Sequence, residues 1–240
     1  MSGASCEVVI TMAADTLTGL VESDYYLYAF TAVECADAAT RPVLWQRTQG
    51  YSQSTVVRWT PAYQAYTATA APPPERPVDV GFAAAMVPGQ LLTVSQRTGV
   101  GAVSAGIAGE EAAVGILNRT TTQLQSGLSQ AGAAGYAPVC TAPLYGGALQ
   151  LFAPVPMVLL LMSPQPAPPG SVVTVATGPG MMIDVGGAGQ RAVAFDINTG
   201  WSWADATWGW SVPAGSELTP LLVRRPSPQD PDATAGSAPA

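Results

Sequence analysis

Four of the chain's six tryptophans fall in residues 196–212, DINTGWSWADATWGWSV, and this is where residue types and spacing first suggest chemistry. Trp201 and Trp203 share a face if the stretch is extended, as do Trp208 and Trp210, while residues 204–207 supply small and polar side chains for a turn. The reading is a Trp-rich hairpin. Indole faces stack on sugar rings and also anchor at lipid interfaces. Asp196, Asn198 and Asp205 beside them add hydrogen-bonding groups suited to hydroxyls, which turns the expectation toward a glycan. The predicted ligand-binding set is therefore Trp201, Trp203, Trp208, Trp210, Asp196, Asn198 and Asp205. The competing expectation is that the rings form cross-strand pairs closing one end of the fold.

Other chemistries are poorly supplied. The chain has no His, and all nine of its basic residues are Arg, so imidazole bases, His metal ligands and Lys Schiff bases are excluded. Gly-rich pieces at 178–180 and 186–189 lack the strand–GxGxxG–helix setting of a dinucleotide site and read as turns. Asp184 and Asp196 flank the 186–189 turn, so a hairpin there would bring two carboxylates together, although turn aspartates are the commoner explanation. The expectation is a non-enzymatic protein with no catalytic residue, no metal and no cofactor. Cys6, Cys35 and Cys140 have no metal-ligand spacing and read as small buried hydrophobes, with a disulfide between Cys6 and Cys35 as the alternative. Asn118-Arg119-Thr120 fits the N-glycosylation sequon.

The elements that must position these residues are strands. Charged residues are only 10% of the chain, against a usual figure of about 25%, and the absence of Lys argues against solvated helices. Apolar runs such as YYLYAFTAVE at 25–34 and STVVRWT at 54–60 are broken by turn residues, at spacings of about ten residues. Pro61 is expected to interrupt the second of these runs. The fold class that follows is all-β, a single antiparallel β-sandwich or barrel-like domain with Pro/Gly-rich loops. It spans 1–225, with a possible subdivision near 70–78. Pro-rich stretches at 71–77 and 163–170 are read as surface loops, and 226–240 as a disordered tail.

A net charge of −7 makes nucleic acid an improbable partner. The longest apolar run, residues 151–162, is too short to span a bilayer and contains Pro154 and Pro156, so no transmembrane segment is expected. Without a standard signal sequence at the start, the compartment reads as cytoplasmic, or outside the cell by a non-classical route. Two functions compete with glycan binding. One is a membrane-active or pore-forming β protein, suggested by the same tryptophans and by small-residue amphipathic strands within 100–117. The other is a self-assembling structural protein or homo-oligomer, suggested by uncharged strand edges.

Residues 43–66, VLWQRTQGYSQSTVVRWTPAYQAY, place a strand, Trp45, a turn, a second strand, Trp59 and, four positions on, Tyr63. This arrangement resembles the rhizosphere-expressed protein of rhizobia and related small acidic β-rich proteins of bacteria and fungi, with the turn at 186–189 as a further correspondence. The resemblance covers under a third of the chain. It implies an abundant small β-rich protein and transfers no catalytic residue.

Overall fold

Short apolar runs punctuated by Gly and Pro become strands throughout the computed structural model, which describes residues 5–73, 76–106, 108–205 and 207–226. In chain order the first elements are β1 (Cys6–Thr11), helix α1 (Ala14–Glu22), β2 (Tyr26–Glu34), β3 (Arg41–Pro42), β4 (Gln46–Thr48) and β5 (Ser54–Ala68). Next come β6 (Phe82–Met86), β7 (Leu91–Val94), β8 (Gly101–Ser104), β9 (Val114–Asn118), β10 (Leu124–Gly132) and β11 (Gly135–Pro138). The last are β12 (Cys140–Leu144), β13 (Leu149–Ser163), β14 (Gly180–Asp184), β15 (Gln190–Asp196), β16 (Gly200–Ser202), β17 (Gly209–Val212), helix α2 (Thr219–Leu222) and β18 (Val223–Arg224).

The strands make two curled sheets. The first runs β16-β15-β1-β5-β10-β12-β3, with β6 on β5 and β11 on β10; the second runs β17-β14-β13-β9-β7-β8, with β2 on β13 and β4 and β18 on β2. Between them lies one apolar cluster fed from both sides, Val8, Val57, Trp59, Leu128 and Phe195 from the first sheet and Leu27, Val33, Val158, Leu160 and Ile183 from the second. Strands β2 and the end of β13 are buried at nearly every position. Their outer faces are covered too, because Tyr28, Phe30, Leu159 and Met182 pack against Leu218 and Leu222 from the C-terminal segment. A strand covered on both faces has no polar side to alternate with, which explains the unbroken apolar runs.

The two longest strands bend, and prolines sit at the bends. In β5 the ladder to β10 passes from Tyr63–Gln130 to Trp59–Gly132, leaving Thr60, Pro61 and Ala62 opposite Ala131 alone. In β13 the ladder to β2 jumps from Val155 to Val158, leaving Pro156 and Met157 unpaired with it. Pro61 therefore interrupts the ladder, as expected, without ending the strand. It occupies a bulge, where its missing N–H removes no ladder bond and the local twist turns the sheet.

Pairing is not antiparallel throughout. β1 with β15, β7 with β9, and β2 with β18 are parallel, because in each case other elements intervene along the chain and no tight turn imposes the reversed direction. Helix α1, which the composition did not suggest, tucks Thr16 and Leu20 inward. The loop at 71–78 is tied to the Pro-rich loop at 163–170 through the Val78 N–H, which donates to the Gly170 carbonyl at 2.9 Å. Among the described residues no helix is long and apolar enough to cross a membrane. The expected disordered tail lies, beyond Pro226, outside the described residues.

Candidate functional site

The Trp-rich segment does not fold back on itself. β16, with Trp201, pairs with β15 in the first sheet, whereas β17, with Trp210, pairs with β14 in the second, so residues 203–208 carry the chain from one sheet to the other. The hairpin expectation fails because each half finds an established strand to extend, which protects more backbone than a four-residue ribbon standing alone. The four rings consequently meet four different environments. Trp201 is buried against Phe195, with ring centroids 4.9 Å apart, and its indole N–H donates to the Pro179 carbonyl at 2.9 Å; it belongs to the core. Trp203 is half-buried. A Cβ at Gly209 would stand 3.2 Å from its Nε1 and 2.6 Å from the Met181 Cε, so the ring edge lies close over the Gly209 backbone. Trp208 is half-buried under the Arg191 guanidinium, 4.9 Å from its ring centre. Trp210 is 41% exposed.

The polar members of the predicted set are largely occupied by their own turns. Asp196 accepts the N–H groups of Asn198 and Thr199, each at 2.9 Å, and the Thr16 hydroxyl of α1 at 3.2 Å. The Thr199 and then the Asn198 backbone bonds hold its carboxyl below the ordinary carboxylate value. Asp205 accepts the Thr207 N–H at 2.9 Å, which lowers its pKa in the same way. Asn198 is exposed at the tip of the Asp196 turn. Asp184 likewise accepts the Gly186 N–H at 2.7 Å, and since β14 and β15 belong to different sheets no hairpin joins it to Asp196. These three aspartates are turn-formers rather than an acid–base pair.

What stays open is a shallow surface depression of about 280 Å³, walled by Trp203, Ser202 and Ala204 over a floor of Ala192, Val193 and Ala194. Trp203 itself is half-buried and packs on the core, and the exposed Ser202 and Ala204 are its chain neighbours. A flat ring with mixed polar edges is the shape such a surface accepts.

Among other sequence candidates, Asn118 is fully buried; its amide donates to the Thr122 carbonyl at 2.8 Å and its Oδ1 accepts from Thr120, so in the folded chain it organises a loop and presents no exposed amide. All three cysteines are free, Cys6 half-buried and the other two buried; the alternative disulfide between Cys6 and Cys35 is not formed. Burial pushes the Cys35 and Cys140 thiols up, against reactivity. Trp45 and Trp59 are buried core residues in an edge-to-face pair, centroids 5.9 Å apart. β8 and β9, within the stretch suspected of membrane activity, are separated by β7, and β9 is buried.

Another feature that escaped sequence reasoning is a cleft of about 360 Å³, partly open to solvent, whose lining includes Thr31, Tyr63 and Gln130. Its only signal in the sequence is a polar residue at a core-facing strand position, which is visible only once the face is known. No protein-family model matches the chain, and no curated protein or solved structure matches it either.

Proposed function

We propose that residues 1–225 act as one β-sandwich unit, a non-enzymatic module that binds carbohydrate at the surface beside Trp203. The observation behind this reading is the open depression lined by the half-buried Trp203 together with Ala192, Ala194, Ala204 and the exposed Ser202. Two further rings of the segment remain partly open, Trp208 under Arg191 and the exposed Trp210. Trp201 takes no part, and Asp196 and Asp205 shape the loops on either side. A glycan array followed by calorimetry on any hit tests this. Trp203→Leu keeps an apolar contact on Gly209 but removes the ring face, so its affinity should fall about tenfold or more with the near-ultraviolet spectrum of the other tryptophans retained. Absence of any glycan hit for the wild type, or full binding by Trp203→Leu, sinks the reading.

A further inference from the structure

Strand β5 lacks a neighbour along the first part of one side. The Met12 N–H donates to the Gln53 carbonyl at 3.1 Å, continuing the β1–β5 register by one residue, and the Glu7 N–H donates to the Gly189 carbonyl at 2.8 Å, on the side of β15. Even-numbered residues of β1 therefore bond toward β5 and odd-numbered ones toward β15. Main-chain groups alternate in direction along a strand, so Thr55 and Val57 bond to β1, while Ser54, Val56 and Arg58 turn theirs to the other side. β10 joins that side only from Trp59 onward. Val56 is 44% exposed, and among the described residues nothing bonds to its N–H or its carbonyl on that side.

This edge borders a cleft of about 560 Å³. β4, which pairs only with β2, lines it too, so the cleft lies where an edge of the first sheet and an edge of the second come near without pairing. Leu27, Ala29, Trp45 and Val57, all members of the core, give it an apolar floor. Trp45 offers only its ring there, because its indole N–H is already bonded to the Gln130 carbonyl. In a chain of net charge −7 the lining holds no carboxylate among the described residues, and its one charged member is Arg47, which forms no ion pair among them.

A small apolar molecule would cover the floor and leave the edge of β5 unpaired. An extended peptide satisfies both, since main-chain bonds to a sheet edge give affinity and alternate side chains give specificity. The peptide residue opposite Val56 turns its side chain outward beside the Val56 side chain, and the residues on either side of it turn theirs inward onto the floor. We propose that this cleft binds an extended segment of another protein as an added strand on β5, with apolar residues at two positions separated by one and an acidic rather than a basic residue next to them.

The probe is the peptide acetyl-Glu-Val-Thr-Val-Thr-Gly-amide, titrated into the full chain by calorimetry. The same peptide N-methylated at the threonine between the two valines keeps every side chain and loses the donor facing the Val56 carbonyl; it should bind about tenfold more weakly or worse. Replacing its Glu by Arg should also weaken binding, and more so at low salt. The Val56 amide should exchange with heavy water more slowly when the unmodified peptide is bound. Val56→Pro removes the donor that faces the cleft and no bond to β1, so it should bind the peptide about tenfold more weakly while keeping the near-ultraviolet spectrum of the wild type. The modified peptides and the exchange measurement use the unaltered protein, and they decide the matter even if Val56→Pro does not fold. No binding up to about 1 mM peptide, equal binding of the N-methylated or the Arg peptide, or an unprotected Val56 amide overturns the proposal.

Discussion

Asp196 lies among aromatic rings, yet its carboxylate serves the backbone: three bonds inside its own turn and one to α1. Those bonds favour the charged form, so the folded pKa lies below the unfolded value of about 3.9. The sign follows. The contribution is present above the unfolded pKa and lost as pH falls through the lower, folded value. Asp196→Asn keeps one acceptor but cannot titrate. Urea midpoints measured from about pH 5 to about pH 2.5 should therefore fall less steeply in the variant than in the wild type. Parallel curves would mean that the turn bonds do not distinguish the two protonation states. The tryptophans divide at this scale as well. Trp45 is buried on Trp59 and donates to the Gln130 carbonyl at 3.0 Å, so Trp45→Ala should cost about 3–5 kcal/mol by urea denaturation, cavity and orphaned carbonyl together. Trp210→Ala, at an exposed ring, should cost far less.

At the scale of elements, β2 and β13 owe their burial on the outer face to a short C-terminal cover. Leu218 and Leu222 sit on Tyr28 and Phe30, and the Cys35 N–H donates to the Arg224 carbonyl at 2.9 Å. A chain ending at Pro226 keeps these contacts, and its thermal midpoint should be unchanged. One ending at Glu217 uncovers the sheet and should lose several kcal/mol, at about 1.5–3 kcal/mol for each leucine; equal midpoints would show that the cover is dispensable. Much of this was legible in the sequence. The run at 25–34 became β2, and the described residues of the Pro-rich stretches lie mostly in loops, because both readings rest on local burial or on proline's missing donor. Helix α1 was not legible: nine residues with Thr16 and Leu20 as the buried pair give too short a period to stand out, and Thr and Gly inside it are weak helix formers. Nor was the fate of residues 196–212. Whether Trp201 and Trp210 face each other or join separate sheets depends on β15 and β14, and no local pattern encodes partner choice. The cleft beside Thr31 was hidden for the same reason, since it exists only where two sheets meet.

For the whole molecule, the balance between charge and uncovered edges decides whether copies stay apart. With a net charge of −7 they repel at pH 7, while near the isoelectric point of about 4.4 that repulsion vanishes and free strand edges are left unprotected. The sheet ends differ in what guards them. β3 carries Arg41 and Pro42, whereas β8 at the end of the second sheet reads GAVS, without a charge and with Val103 39% exposed. An uncharged edge strand is a template for pairing with another chain, and a lysine on it is a strong deterrent. Sedimentation velocity should accordingly find concentration-dependent association near pH 4.4 that is absent at pH 7, and Val103→Lys should suppress it. Val21→Lys makes the identical change of charge at an exposed position of α1, outside every strand, and so separates pairing through β8 from simple electrostatics. If both variants suppress association equally, net charge alone governs it. If only Val103→Lys does, β8 is the edge through which copies of this chain meet.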